Sequence, residues 1–226
     1  MCTKKIKNFE LNNFESKCAD EIKIIIEGLL KRSKRINICL SGGKTPIPVL
    51  KLLKDKNLDF DRISFFLVDE RDVKNNDLNS NYFNLNKNFF KYISSKNYPI
   101  NTDEVSIDKA VLYYEKKIID LVPAKKNYPS FDLILLGMGL DGHTASIFPD
   151  SGAVGVSDKL VVKNYIKKLN SFRITITYPL ILNANEILIL IKGNEKKKLI
   201  KNLKNNHPIK KVIKDSNNLK ILCSNK

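Results

Sequence analysis

An acid and a base follow directly on a run of apolar residues near the middle of the chain. Residues 132–136 read Asp-Leu-Ile-Leu-Leu, and Gly-Met-Gly-Leu-Asp-Gly-His occupies positions 137–143. The apolar run is typical of a strand buried on both faces, and the glycines let the chain turn sharply beside a ligand. This turn delivers Asp141 and His143 to the carboxyl end of the strand, where ligands bind in open α/β sheets. Because histidine titrates near neutral pH, His143 is the candidate for proton transfer.

A glycine turn follows another apolar run, which spans residues 36–40. The turn consists of Ser41, Gly42, Gly43, Lys44 and Thr45, and Pro46 comes next. Proline suits the first position of a helix, so we expect a strand, this turn and then a helix. Backbone N–H groups at such a helix start attract anions, and the lysine would add positive charge. The turn lacks the GxxxxGK[ST] spacing of a Walker A loop, and a plain strand-to-helix turn is the alternative interpretation.

Charged residues also follow the apolar run that ends at Val68. Asp69, Glu70 and Arg71 come directly after it, so we expect them at the carboxyl edge of the sheet. A guanidinium can hold a phosphate or a carboxylate through two parallel hydrogen bonds, which makes Arg71 a candidate for anion binding. The alternative interpretation is a solvated loop with a local ion pair.

Apolar periodicity predicts alternating strands and helices along most of the chain. We predict strands over residues 36–40, 63–68, 133–136, 173–177, 187–191 and 220–223. We predict helices over residues 13–32, 46–53, 80–92, 108–121 and 195–203. This alternation favours an α/β fold of modified Rossmann-like type, with a mostly parallel sheet and helices on both faces. A length of 226 residues suits one domain, and we expect residues 1–226 to form it.

The chain is strongly basic, with a formal net charge of +16. Nearly all of the excess is lysine, which is spread along the chain together with abundant asparagine. Proteins that read bases favour arginine and interleaved aromatic residues, so we expect no nucleic-acid partner. The sequence has no run of about 18 apolar residues, and we expect no membrane span. No apolar segment follows the basic N-terminus, so no secretory signal is predicted.

The cysteines indicate a reducing compartment. Cys2, Cys18, Cys39 and Cys223 form no CxxC pair and have no metal-like spacing with either histidine. Cys39 lies in an apolar run and is predicted to be a buried thiol. We expect a cytoplasmic protein that has no metal site and needs no cofactor.

Taken together and in order, these segments resemble the 6-phosphogluconolactonase family, within the superfamily that also contains glucosamine-6-phosphate deaminase. The resemblance spans roughly residues 13–212. Its most specific block is Gly-Met-Gly-Leu-Asp-Gly-His-Thr-Ala-Ser-Ile-Phe-Pro at 137–149. The other blocks are Ser-Gly-Gly-Lys-Thr-Pro at 41–46, Val-Asp-Glu-Arg-Asp-Val at 68–73, Ser-Asn-Tyr at 80–82, Arg-Ile-Thr at 173–175 and Gly-Asn-Glu-Lys at 193–196.

The resemblance implies hydrolysis of 6-phospho-D-glucono-1,5-lactone to 6-phosphogluconate, in the oxidative pentose phosphate pathway. It implies that His143 is the general base for a water molecule, that Asp141 orients it, and that Arg71 assists binding or stabilises negative charge. The implied substrate and phosphate contacts are Ser41, Gly42, Gly43, Lys44, Thr45, Asp69, Arg173 and Lys196. A lactone is an activated ester, so no metal is required. The expected partner is this small sugar-phosphate lactone, and we expect a monomer or a weak dimer.

Two features depart from the family pattern. Lys44 stands where family members commonly carry a small hydroxyl residue, so it either strengthens phosphate binding or points to solvent. The stretch between Pro149 and Arg173 is also short. His207, the second histidine, precedes a proline in a polar loop and is interpreted as structural.

Other functions are compatible with parts of this pattern. An amino-sugar phosphate deaminase or isomerase is the alternative enzyme. Such proteins usually have Asp-Glu-Tyr at the positions of residues 69–71, and a catalytic glutamate where this chain has Phe148. A non-catalytic sugar-phosphate sensor and a basic nucleic-acid binder are the alternatives from other classes, the last recognisable by steep salt dependence.

Overall fold

The computed structural model describes residues 3–103 and 105–225, so Cys2 lies outside the described part of the chain. The strands are β1 (Thr3–Phe9), β2 (Ile36–Leu40), β3 (Ile63–Leu67), β4 (Asp69–Arg71), β5 (Lys96–Tyr98), β6 (Ala124–Lys125), β7 (Tyr128–Pro129), β8 (Leu133–Gly137), β9 (Val161–Ile166), β10 (Ser171–Ile176), β11 (Glu186–Ile191) and β12 (Asn218–Ser224). The helices are α1 (Phe14–Leu30), α2 (Pro46–Leu53), α3 (Asn81–Asn88), α4 (Ile107–Leu121), α5 (Tyr178–Leu182), α6 (Asn194–Lys201) and α7 (Pro208–Asp215).

Seven strands form a parallel sheet in the order β1-β12-β11-β8-β2-β3-β5. Parallel strands are joined by right-handed crossovers, which fix the face on which each connecting helix lies. The connections that run toward β5 therefore place α1, α2 and α3 on one face, and the connections that run toward β1 place α4 to α7 on the other. The contacts of α1 with α2, α2 with α3, and α5 with α7 agree with this arrangement. The predicted α/β fold with a mostly parallel sheet is confirmed.

The chain reverses its direction of travel between the neighbouring strands β2 and β8. The connections that follow β2 lead to strands on the β5 side of the sheet, whereas the connections that follow β8 lead to strands on the β1 side. Adjacent strands whose connections leave in opposite directions open a crevice at their carboxyl ends, and ligands of open α/β sheets bind there. The two segments that follow these strands are the glycine turn at 41–45 and the Asp-Gly-His loop at 139–143.

Residues 69–71 form a strand rather than the solvated loop considered as the alternative interpretation. Strand β4 pairs with β10, which pairs with β9, in a small antiparallel sheet. Val68 is the single residue between β3 and β4. Its N–H donates to the carbonyl of Leu40 at 3.0 Å, and its carbonyl accepts from the N–H of Ile176 at 2.9 Å. The chain therefore passes from the parallel sheet to the antiparallel sheet at Val68, and the strand predicted at 173–177 belongs to this second sheet.

Several elements were not predicted, because their sequences are short or polar. Strand β1 reads Thr-Lys-Lys-Ile-Lys-Asn-Phe and lies at the edge of the sheet, where Ile6 is 61% exposed. Strand β9 alternates only weakly, and the helices α5 and α7 have five and eight residues. The helix predicted over residues 80–92 ends at Asn88, and a 3₁₀ turn follows at Phe90–Tyr92.

The core is continuous from the parallel sheet to the helices on its faces. Its largest buried side chains include phenylalanines packed around β3: Phe65 and Phe66 contact Phe89 and Phe131 at centroid distances of 5.4 and 5.2 Å. The predicted burial of Cys39 is confirmed, and Cys18 and Cys223 are also buried free thiols. Among the helices of the described residues, none has the length and apolar composition needed to cross a bilayer.

The fully buried carboxylate of Glu70 fastens β4 to the start of α3. It accepts hydrogen bonds from the backbone N–H groups of Arg71, Asn81 and Tyr82 at 2.7, 2.7 and 2.8 Å, and from the hydroxyl of Ser80 at 3.0 Å. Burial raises the pKa of this carboxyl, and the three backbone donors oppose that shift. The side chain therefore satisfies buried and part-buried donors, including those at the start of a helix.

We predict that Glu70→Ala lowers the free energy of unfolding by at least about 3 kcal/mol, because it leaves several buried donors without an acceptor. Urea unfolding followed by circular dichroism measures this loss. The control is Glu27→Ala, which removes an exposed carboxylate with a 3.6 Å ion pair to Lys23 and should cost less than about 1 kcal/mol. Equal losses in the two variants would contradict the structural role assigned to Glu70.

Candidate active site

A cleft of about 280 Å³ lies at the carboxyl ends of β2 and β8. The residues that line it come from the glycine turn, the β4 region, the Asp-Gly-His loop and α6: Ser41, Gly43, Lys44, Thr45, Pro46, Asp69, Arg71, Asn81, Gly137, Met138, Gly139, His143, Ala145 and Lys196. The cleft thus occupies the crevice that the strand order predicts, and it brings together segments that are far apart in the sequence.

A larger depression of about 600 Å³ lies beside α4 and suits a different kind of ligand. Among the described residues that line it, the charged ones are Glu115, Asp120 and Asp158, with no lysine or arginine. This negative charge repels a phosphate, whereas the cleft at β2 and β8 carries three cationic side chains. The cleft is therefore the candidate site for an anionic substrate.

The acid and the base of the Asp-Gly-His loop are directly hydrogen-bonded. The Nδ1 atom of His143 lies 2.5 Å from Oδ1 of Asp141, and the backbone N–H of His143 donates to the same oxygen at 3.2 Å. A carboxylate can only accept, so Nδ1 carries the proton and Nε2 keeps the lone pair in the neutral ring. This arrangement leaves Nε2 as the nitrogen that can accept a proton from a ligand.

Close packing fixes the plane of the His143 ring. The ring stacks on Phe148 with a centroid distance of 4.0 Å and an interplanar angle of 24°. Gly139 lies so close that a Cβ atom there would be 2.1 Å from Nδ1 of His143 and 2.7 Å from Oδ1 of Asp141. Only glycine fits at this position. The glycine predicted to leave room for a ligand thus leaves room for the side chains of Asp141 and His143.

The surroundings of His143 favour its neutral form. Burial lowers the pKa of His143 to about 4; Asp69 opposes the shift, and the nearby cations Lys196, Arg173 and Arg71 support it. The carboxylate of Asp141 also favours a charged ring, but Lys168 forms an ion pair with its other oxygen and balances much of its charge. The imidazole is therefore neutral at physiological pH and can act as a base.

Positive charge is concentrated at the cleft. Arg71 and Arg173 lie directly opposite each other in the register of β4 and β10. Burial lowers the pKa of Arg173 first, and the neighbouring Arg71 lowers it further. The ammonium of Lys196, near the start of α6, also lines the cleft, and burial lowers its pKa. Like charges held this close bind an anion well, because the anion relieves their repulsion.

The carboxylate of Asp69, which lines the cleft, accepts hydrogen bonds from two side chains. Its Oδ2 accepts from the hydroxyl of Ser146 at 2.6 Å, and its Oδ1 accepts from the side-chain amide of Asn81 at 3.2 Å. The amide also donates to the Asp69 carbonyl at 2.9 Å. Asn81 packs so tightly on Gly42 that a Cβ there would be 2.7 Å from it. Asp69 thus joins β4 to Ser146, which follows the Asp-Gly-His loop, and through Asn81 to the glycine turn.

The glycine turn borders the cleft with part of its length. Ser41, Gly43, Lys44 and Thr45 line the cleft, whereas Gly42 is buried against Asn81. Lys44 is exposed to solvent. Helix α2 begins at Pro46, as predicted. Within the described residues, the buried Ser41 hydroxyl has no hydrogen-bond partner, which leaves it available to a ligand.

The predicted residues separate into those that line the cleft and those that support it. His143, Arg71, Asp69, Lys196 and most of the glycine turn line it. Gly42, Asp141 and Arg173 instead contact or pair with lining residues, namely Asn81, His143 and Arg71. Asn81 and Lys168 were not among the predicted site residues. Asn81 belongs to the Ser-Asn-Tyr block, which was a usable signal. Lys168 lies in a lysine-rich turn of the sequence, where no signal distinguishes it from its neighbours.

Comparison with known proteins gives the same family from sequence and from structure. The sequence model of the glucosamine-6-phosphate isomerases/6-phosphogluconolactonase family matches residues 10–221. A 6-phosphogluconolactonase of Thermotoga maritima is 35% identical over 180 residues, which cover 78% of each chain. One of Chlamydia muridarum is 31% identical over 195 residues, which cover 85% of this chain and 73% of the relative.

Solved structures of 6-phosphogluconolactonases have the same fold over nearly the whole chain. The structure from Thermotoga maritima superposes with a TM-score of 0.87 at 28% identity, and the match covers 99% of this chain and 100% of that one. The structure from Trypanosoma brucei superposes with a TM-score of 0.89 at 25% identity, covering 99% and 97%. The chain therefore belongs to the glucosamine-6-phosphate isomerase/6-phosphogluconolactonase family.

Proposed function

We propose that this enzyme hydrolyses 6-phospho-D-glucono-1,5-lactone to 6-phosphogluconate, as a step of the oxidative pentose phosphate pathway. The observation that carries the proposal is a neutral imidazole, hydrogen-bonded to Asp141 through Nδ1, at the wall of a cleft rich in cations. A base and an anion site are the two features that hydrolysis of a phosphorylated lactone needs. The relatives named above as 6-phosphogluconolactonases support this substrate.

The proposed reaction needs only water and a proton acceptor. Nε2 of His143 takes a proton from water as its oxygen attacks the lactone carbonyl carbon. The carbonyl oxygen becomes negatively charged, and Arg71 stabilises this charge. The bond from the carbonyl carbon to the ring oxygen then breaks, and the imidazolium returns its proton to the ring oxygen. The product is an open-chain acid, which loses a proton to give the carboxylate.

The phosphate is proposed to lie between the glycine turn and α6. The backbone N–H groups of residues 42–45 and the start of α2 favour an anion, and Lys196 adds a full charge from across the cleft. Arg173, opposite Arg71 on the neighbouring strand, strengthens the positive potential at the cleft. The lactone end carries no charge, so the phosphate supplies most of the electrostatic attraction.

A lactonase assay tests the proposal directly. Freshly generated 6-phosphogluconolactone is followed with spontaneous hydrolysis subtracted, and the enzyme should accelerate its disappearance. Glucosamine 6-phosphate should release no ammonia, because Phe148 occupies the position where related deaminases usually carry a catalytic glutamate and stacks on His143. Ammonia release without lactone hydrolysis would support the alternative enzyme of this superfamily.

We predict that His143→Ala loses about 10²- to 10⁴-fold in kcat, because the attacking water loses its general base. The variant should keep its fold, since the ring lies at the cleft wall and is not part of the core. Steady-state kinetics measures the loss, and circular dichroism with thermal unfolding checks the fold. A folded variant with near-normal kcat would remove His143 from the mechanism.

We predict that His143 titrates near pH 4, well below the usual 6.5. The substrate phosphate itself titrates near pH 6, so the measurement is made by NMR on the substrate-free protein. With only two histidines in the chain, His143→Ala assigns the signals. Between pH 6.5 and 4 the unfolded chain binds this proton and the folded one does not, so stability falls as the pH is lowered through that window. A midpoint near 6.5 would contradict the burial argument.

We predict that Lys196→Ala raises KM and lowers kcat/KM roughly ten- to a hundredfold, while kcat at saturation changes little. Removing a charge-assisted contact costs about 1.5–3 kcal/mol, and a contact equally strong in ground and transition states appears in KM. The control is Lys198→Ala, which removes the same charge from an exposed position of the same helix. If both variants weaken binding equally, general positive charge explains the binding and the localised phosphate site is wrong.

We predict that activity survives prolonged dialysis against EDTA, because a lactone is already an activated ester. Within the described part of the chain, no three histidine, cysteine, aspartate or glutamate side chains converge on a possible metal position. The measurement is kcat/KM before and after dialysis, and again after divalent cations are added back. Inactivation that a cation reverses would reveal a metal requirement.

A further inference from the structure

Four side chains form a closed ring of contacts that includes the imidazole of His143. Asp141 hydrogen-bonds the imidazole at 2.5 Å, and Phe148 stacks on it at 4.0 Å. Lys168 completes the ring, because its ammonium forms an ion pair with Oδ2 of Asp141 and lies 4.6 Å from the centroid of Phe148. Each member therefore touches two of the others, and two of them, Phe148 and Lys168, have no part in the proposed reaction.

Lys168 reaches this position from a separate element, the turn between β9 and β10. Residues 167–169 form a 3₁₀ turn that ends at Asn170 in the left-handed conformation, with φ of 45°. Asparagine tolerates this conformation, and its side-chain oxygen accepts from the hydroxyl of Tyr165 at 2.5 Å. Tyr165 also packs against Phe172 at 5.0 Å. Side chains of the flanking strands β9 and β10 thus contact each other and Asn170, which supports the turn that carries Lys168.

The charge of Lys168 opposes protonation of His143 in two ways. A carboxylate bonded only to an imidazole stabilises the imidazolium, and an ammonium on its second oxygen reduces that effect. The ammonium also repels a protonated ring directly. The other charged groups around His143 are Asp69, which favours protonation, and Lys196, Arg173 and Arg71, which oppose it.

We propose that Lys168 is a positioning residue that holds Asp141 and Phe148 against His143 and keeps the ring in its neutral, proton-accepting form. It acts through Asp141 rather than on the substrate. The inference rests on the proposed general-base role of His143 and names a residue that supports it.

The test follows the His143 signal by NMR during a pH titration of the substrate-free protein. Lys168→Met keeps the aliphatic stem and removes the charge, and we expect a roughly tenfold higher proton affinity for His143. Lys168→Arg should restore a titration close to that of the unsubstituted protein. The control is Lys167→Met, an exposed neighbour in the same turn, which should leave the titration unchanged. Lys168→Gln serves if the Met variant folds poorly.

A second pair of variants tests whether Asp141 carries the effect. In an Asp141→Asn background, Lys168→Met should shift the titration much less than it does alone, because interacting residues are not additive. An equal shift in both backgrounds would mean that Lys168 acts only through its general charge, and the proposal would be wrong. An unchanged titration in folded Lys168→Met would also overturn it.

Kinetics with the lactone separates positioning from substrate binding. A rise in KM for Lys168→Met, with the His143 titration unchanged, would make Lys168 a substrate contact and overturn the proposal. The titration needs no substrate, so its outcome is independent of the lactonase assay. Absence of lactonase activity in the unsubstituted protein would instead refute the proposed function, and the two failures are therefore distinguishable.

Discussion

Two consecutive buried carboxylates, those of Asp69 and Glu70, hold the walls of the cleft in place. They follow the point at which the chain leaves the parallel sheet and enters the antiparallel one. Glu70 satisfies the backbone donors at the start of α3, and Asp69 binds Ser146 and Asn81. Buried charges are costly unless they are fully hydrogen-bonded, and here the required donors come from three separate segments. Those segments can satisfy the carboxylates in only one relative arrangement, which is the arrangement that forms the cleft.

The buried carboxylates of Asp69 and Glu70 allow two arginines to lie close together beside the cleft. Arg71 and Arg173 lie opposite each other in neighbouring strands, where like charges are destabilising. The adjacent carboxylates offset this repulsion, since Asp69 and Glu70 both favour the charged form of Arg173. The same arginines, together with burial and Lys196, favour the neutral form of His143, so the positive charge at the cleft and the protonation state of this histidine are linked.

Sequence reasoning predicted the elements with strong apolar patterns and the chemistry that follows them. Strand β2 and helix α2 were predicted with the observed bounds, because an apolar run, a glycine turn and a proline each have one clear structural meaning. The polar edge strand β1 and the short strand β4 were not predicted, since their pairing depends on partners distant in the chain. For the same reason the sequence could place His143 at a strand end but could not show that Lys168, from another turn, shares its carboxylate.

The few arginines of this lysine-rich chain indicate where side-chain geometry matters more than charge. Arg62 donates three hydrogen bonds to backbone carbonyls near the end of α1, at 2.7 to 2.8 Å, which a single ammonium could not span. Arg71 lines the cleft and donates a hydrogen bond to the backbone carbonyl of Asn79. Lysine supplies solubility and long-range attraction over the rest of the surface. Replacing Arg71 by lysine would keep the positive charge at the cleft but lose the planar guanidinium that can form two parallel hydrogen bonds. The net charge of the chain and the arginine geometry at the cleft therefore have separate physical roles.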